Sequence, residues 1–209
     1  MKRATLLLLV LFTVTMLFGC GKKEEALSEQ PTENKPEEVT ESVIIETGNM
    51  VTSYLTGKQV DEAIGRQRPI AVMFNNIEAG CPQTGISRAD VVYEAPVEGR
   101  ITRLMGVIEN WHDLAKIGSV RSCRDYFIDF AVEFDAIYTH FGQAVYAFDL
   151  LNSAMVNNIS GLQYQEAAGE IYGYAGEDIF YRTDDRVAPH NVYTSYEGLM
   201  TAVERNEYS

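Results

Sequence analysis

The chain has 209 residues, with 17 Lys and Arg against 30 Asp and Glu, a net charge of −13, and 46% hydrophobic residues. That apolar share excludes a wholly disordered chain, and the acidic balance argues against nucleic-acid binding, which needs clustered cations to meet phosphates. Three Cys are too few for a disulfide scaffold or a Cys-ligated zinc site.

Lys2 and Arg3 precede an uncharged apolar run over residues 4–18, ATLLLLVLFTVTMLF. The run is too short for a membrane-spanning helix of roughly 20 residues and suits the hydrophobic region of a secretory signal. Gly19-Cys20 closes it, and Leu17-Phe18-Gly19-Cys20 resembles a bacterial lipobox. The resemblance implies cleavage before Cys20 and diacylglycerol on its thiol. The competing reading is an ordinary signal peptide with a chance Cys. One acyl chain holds a membrane marginally, whereas two hold it firmly. Residues 1–19 are therefore expected to be a lipoprotein signal peptide. The mature chain is expected on the extracytoplasmic face of the cell membrane, anchored through Cys20.

Residues 20–65 follow as an expected lipid anchor and acidic flexible tether. Residues 21–42 are rich in Glu, Lys, Pro, Ser and Thr and cannot bury enough surface to offset their ordering entropy. Residues 43–65 fit either a marginal strand and turn or more linker. Without residues 1–19 the net charge is −15, of which −6 lies in 20–65, so much of the acidity belongs to the tether.

Residues 66–209 read as one globular domain. Ile70-Ala71-Val72-Met73-Phe74, bounded by Pro69 and Asn75-Asn76, is expected to be a buried strand. Residues 77–89 form a Gly/Pro loop, and 91–95 the next strand. Glu98-Gly99-Arg100 has hairpin chemistry, returning into a strand over 101–108. Residues 116–121 add a short strand or loop. The spacing predicts a helix over 123–135: Asp125, Asp129 and Glu133 form a polar stripe opposite Phe127, Phe130, Ala131 and Phe134. A strand over 136–140, a second amphipathic helix over 143–156 and a loop over 157–176 follow. A short strand at 179–182, a loop over 183–194 and a Ser/Thr-capped helix over 195–206 complete the order. The fold class is α/β or α+β, a mixed sheet with flanking helices.

From residue 66 onward there are ten Arg and one Lys. Arg is favoured for bidentate recognition of carboxylate or phosphate, and for buried ion pairs. Arg103 lies inside an apolar strand and needs a partner there, for which Glu94 or Glu98, on the facing strand, is the nearest candidate. The arginines either bind a ligand's anionic group or serve Glu94, Glu98, Asp125 and Asp129 as structural partners. Glu94 and Glu98 also form a possible acid/base pair. The Asp125, Asp129, Glu133 stripe suits a hard cation or, more commonly, a solvated face, and no metal or other cofactor is expected. His140 sits at a strand end, where ligands collect in α/β sheets. His190 and Asn191 lie in a polar loop, and His112 looks incidental. A Ser122, His140 and Asp set lacks a nucleophile-elbow pattern. Cys81 and Cys123 could pair, or one could serve as a nucleophile with His140 or His190. The tyrosines, among them Tyr164, Tyr172, Tyr174 and Tyr181, suit a recognition surface or loop packing.

RPIAVMFNN, SRADVVYEAPVEGRITRL, IGSVRSCRDYFIDFA, YTHFG and FYRTDDRVAPHNVYTS, in this order, resemble the YerB-type lipoproteins of Gram-positive bacteria over most of residues 68–197. The resemblance implies a surface lipoprotein with a mixed α/β architecture and transfers no reaction. It nominates Glu94, Glu98, Arg103, Arg121, Arg124, Asp129, His140, Arg182, Arg186, His190 and Asn191 as matching polar positions. Such proteins usually continue into a further C-terminal region, beyond the point where this chain stops. The expected role is a cell-envelope binding module with an Arg-lined site for an anionic group. One alternative is an envelope hydrolase using Glu94, Glu98 or His140; another is a scaffold that docks an envelope protein.

Overall fold

The computed structural model describes residues 48–162 and 173–209. The expected signal peptide, Cys20, the tether up to residue 47, Tyr164 and Tyr172 lie outside the described residues. The segment 43–65, left between strand and linker, holds a hairpin of β1 (Met50–Thr52) and β2 (Gln59–Asp61), then helix α1 (Glu62–Gly65). The span assigned to the tether thus includes secondary structure from Met50 onward. The hairpin is tied down by a hydrogen bond from the Tyr54 hydroxyl to the Phe134 carbonyl, 2.8 Å.

Strand β3 (Ile70–Asn75) is apolar at its first five positions, so it needs cover on both faces. Strands β4 (Val91–Val97) and β5 (Ile101–Ile108) form the expected hairpin, with Gly99 at φ 76° in its turn. Strand β6 (Ile117–Gly118) precedes helix α2 (Asp125–Val132), strand β7 (Ile137–His140) and helix α3 (Phe148–Leu151). Strands β8 (Asn158–Ser160), β9 (Tyr181–Arg182) and β10 (Val192–Thr194) lead to helix α4 (Tyr196–Arg205). The main sheet runs β4-β5-β3-β7-β8. β4, β5 and β3 are antiparallel neighbours, and β3, β7 and β8 are parallel, so the sheet is mixed as expected. A smaller sheet runs β6-β10-β9.

Alternation along β3 and β5 divides the core. Ile70, Val72, Phe74 and Ile108 pack on Trp111, Val192 and, from α4, Leu199 and Ala202. Ala71, Met73, Met105 and Val107 pack on Phe127, Ile128 and Ala131 of α2. Each large side chain buried this way contributes about 1.5–3 kcal/mol. α4 starts where its cap was expected: the Ser195 hydroxyl accepts from the Gly198 N–H at 3.1 Å.

Three expectations need correction. The helix expected over 143–156 is only a 3-10 turn, Val145–Ala147, followed by the short α3. The Ser153 hydroxyl donates to the Leu150 carbonyl and accepts from the Met155 N–H, local bonds that compete with helix continuation. The 157–176 and 183–194 loops contain β8 and β10, each three residues long and too short for a two-residue period to be read.

Candidate functional site

Parallel strands β3 and β7 run side by side over Ile70–Val72 and Ile137–Thr139. Past that point the segment 119–123 inserts between their carboxyl ends. The Arg121 N–H donates to the Met73 carbonyl (2.9 Å), the Asn75 N–H to the Ser119 carbonyl (3.1 Å), and the Phe141 N–H to the Arg121 carbonyl (3.0 Å). This opening at the carboxyl ends of parallel strands is where ligands collect in such sheets. It carries Arg121 and Arg124 into place beside Arg103, which enters from β5 opposite Asn75.

Arg103 is 5% exposed, and its Nη1 donates to the Ser122 carbonyl at 2.5 Å. Burial, then the charges of Arg124 and Arg121, lower it to about 10. Arg121 donates from Nη1 to the Pro189 carbonyl at 2.8 Å, while its Nε is buried without a partner. It too is lowered, by burial and then by Arg124 and Arg182. Among the described residues, no ion pair includes Arg103, Arg121 or Arg182. Arg124 differs: its Nε lies 2.8 and 2.9 Å from the two carboxylate oxygens of Glu98. That bond and the Glu98 backbone hold Glu98 at about 2. Arg124 also sits at the N-cap of α2, where no side chain caps the first turn.

The loop before β10 closes the cluster. The Asn75 Nδ2 donates to His190 Nδ1 at 2.8 Å, which leaves the ring proton of neutral His190 on Nε2. Burial and the Arg121 charge lower the His190 pKa, keeping it neutral at pH 7. Asn191 Oδ1 accepts from Arg182 Nη1 at 2.9 Å.

The structure thus gathers Arg103, Arg121, Arg124, Arg182, Glu98, His190 and Asn191. It does not bring in the others. Glu94 lies on the opposite, exposed face of β4, bonded to Asn76 and Thr102, so the expected Glu94–Arg103 pair does not form. Arg103 stands opposite Ala95 instead. Arg186 donates to the Gly80 and Pro82 carbonyls and pins that loop. His140 is fully buried, bonded to the Gly142 carbonyl and the Asn158 side chain, and held at about 4 chiefly by burial. It can serve neither Ser122 nor a substrate. Glu98, ionised down to about pH 2, cannot act as a proton donor at neutral pH. Cys81 is exposed and Cys123 buried, both free, and burial pushes Cys123 up to about 12. The Glu133 carboxylate accepts from the Tyr93 hydroxyl, and no three His, Cys, Asp or Glu side chains converge on a metal position among the described residues. Asn75 was missed as a site residue: Asn75-Asn76 marked a strand end, and a buried Asn there was the available signal.

Residues 55–209 match the family model described as the N-terminal domain of a protein of unknown function, DUF3048. The chain belongs to the DUF3048 family. It is 33% identical over 163 residues to a Bacillus subtilis (strain 168) member named "Putative lipoprotein YerB", covering 78% of this chain and 46% of that protein. The crystal structure of YerB from Bacillus subtilis superposes with a TM-score of 0.65 over 76% of this chain and 51% of that one. The chain therefore spans about half the length of the relative it matches. The long motifs read from the sequence and the mixed sheet both agree with this family.

Proposed function

We propose that this family member is a lipid-anchored, extracytoplasmic binding module that holds an anionic group between Arg103 and Arg121. The observation that carries the reading is that Arg103 is buried and Arg121 half-buried, and that neither forms an ion pair among the described residues, Glu98 acting on Arg103 only at longer range. A buried charge without a counter-charge is costly, and an anion supplied from outside would remove that cost. His190 Nε2–H adds a neutral donor suited to the same oxygen atoms. The anchor is Cys20, in keeping with the name of the Bacillus subtilis relative.

Calorimetric titration of the full chain with inorganic phosphate tests the site. Arg121→Gln is expected to weaken binding at least tenfold, and unchanged binding overturns the assignment. Cys20→Ala is expected to release the protein from membranes into the medium; retention on the membrane overturns the anchor.

A further inference from the structure

A cavity adjoins Arg182. It measures about 340 Å³ and is lined by Phe141, Glu177, Phe180, Tyr181 and Arg182, within the usual ~300–1,000 Å³ range of small-molecule sites. Its walls are joined to the anion site by two contacts. The Phe141 N–H donates to the Arg121 carbonyl at 3.0 Å, and the Arg182 guanidinium lies 5.2 Å over the Phe141 ring. Arg182 therefore borders both regions, and its charge is felt at Arg121.

The lining has two characters. Phe141 and Phe180 meet edge to face at 5.5 Å and present apolar ring surface, with Tyr181 41% exposed beside them. Arg182 and Glu177 supply a donor and an acceptor at the rim. A purely apolar ligand would leave that charged rim desolvated and unpaired. A hydroxylated ring with apolar C–H faces matches both parts, laying C–H groups on the aromatics and hydroxyls on Arg182 and Glu177.

We infer that the cavity is a ring subsite, and that the ligand of the whole site is a phosphorylated sugar whose phosphate lies between Arg103 and Arg121 while its pyranose ring occupies the Phe141, Phe180 and Tyr181 pocket. The inference rests on the anion-binding reading and adds the class of molecule that carries the anion.

The test is calorimetric titration of the full chain in detergent with inorganic phosphate, glycerol 3-phosphate and glucose 1-phosphate. Glucose 1-phosphate is expected to bind at least tenfold tighter than the other two, which lack a ring. Tyr181→Ala, a surface change, is expected to cut that advantage to under threefold while leaving inorganic phosphate binding unchanged. Arg121→Gln is expected to weaken all three. If phosphate binds and the sugar adds less than threefold, the ring subsite is wrong and the anion site stands. The ring subsite is equally wrong if the sugar's advantage survives both Tyr181→Ala and Phe141→Leu. If inorganic phosphate does not bind, the anion reading falls and this inference falls with it.

Discussion

Arg103→Met separates what the fold needs from what the site needs. Burial and the charges of Arg124 and Arg121 bring Arg103 from an ordinary 12.5 to about 10. At about 1.4 kcal/mol per pH unit, folding disfavours that charge by roughly 3 kcal/mol. Because the folded value is the lower one, the cost applies in full at every pH below about 10 and is relieved only as pH rises through that value. Removing the side chain also removes its charged hydrogen bond to the Ser122 carbonyl, which offsets about 1.5–3 kcal/mol of the gain. Met keeps most of the buried volume against the neighbouring Met105 side of the sheet. The net expectation is a variant about 1 kcal/mol more stable, or ~2–4 °C higher in Tm, and unable to hold phosphate. Differential scanning calorimetry in anion-free buffer and in phosphate reads both effects. At phosphate about 100-fold above its Kd the unsubstituted protein gains about 2.7 kcal/mol, and the variant is expected to gain less than a third of that. A variant melting more than about 3 °C lower in anion-free buffer refutes the reasoning, since Arg103 would then be a satisfied structural group.

Glu98→Gln frees Arg124 and is expected to tighten phosphate binding by about 3–10-fold, as a third guanidinium joins those of Arg103 and Arg121. The Glu98 side chain is 60% exposed although that of Arg124 is only 12% exposed, so solvent screens the pair from the Glu98 side and its loss costs about 1 kcal/mol. That contribution is present above an ordinary glutamate's pKa and disappears as pH falls toward about 2, which urea unfolding across the acid range measures. His140, held neutral down to about pH 4, contributes stability that is full above its ordinary 6.5 and lost as pH falls from there toward 4. Urea unfolding at pH 7 and 4.5 is expected to show a loss of about 2.5 kcal/mol, which His140→Gln reduces. Of Cys81 and Cys123, only the exposed Cys81 is expected to alkylate without denaturant; peptide mass mapping checks this.

The strands over 70–108 were legible because they are long, apolar and set off by Pro69, Asn75-Asn76 and Gly99, and α2 because its acidic stripe repeats every fourth residue. β8 and β10 were not, since three buried residues carry no period. The 143–156 segment has enough apolar residues for a helix, but Val145, Tyr146 and Met155 are exposed and the buried Ala147, Phe148 and Leu151 are confined to its middle, so the core face sustains only the short α3. The arginine bias pointed to Arg103, Arg121, Arg124 and Arg182, which the structure brings together. Partner choice was illegible for a geometric reason: Glu94 and Arg103 lie on paired strands yet project from opposite faces, while Arg124, 26 residues from Glu98, reaches it across the hairpin turn.

Composition, the order of apolar runs and the turn residues are local properties, and they suffice for the class of fold, its mixed sheet and the family. Whether a guanidinium is neutralised depends on which carboxylate stands within about 4 Å, and that is decided by side-chain face and by the 119–123 segment entering between β3 and β7. Tertiary structure alone left Arg103 buried and Arg121 half-buried with no ion pair among the described residues, and buried His140 away from the site that its sequence position suggested.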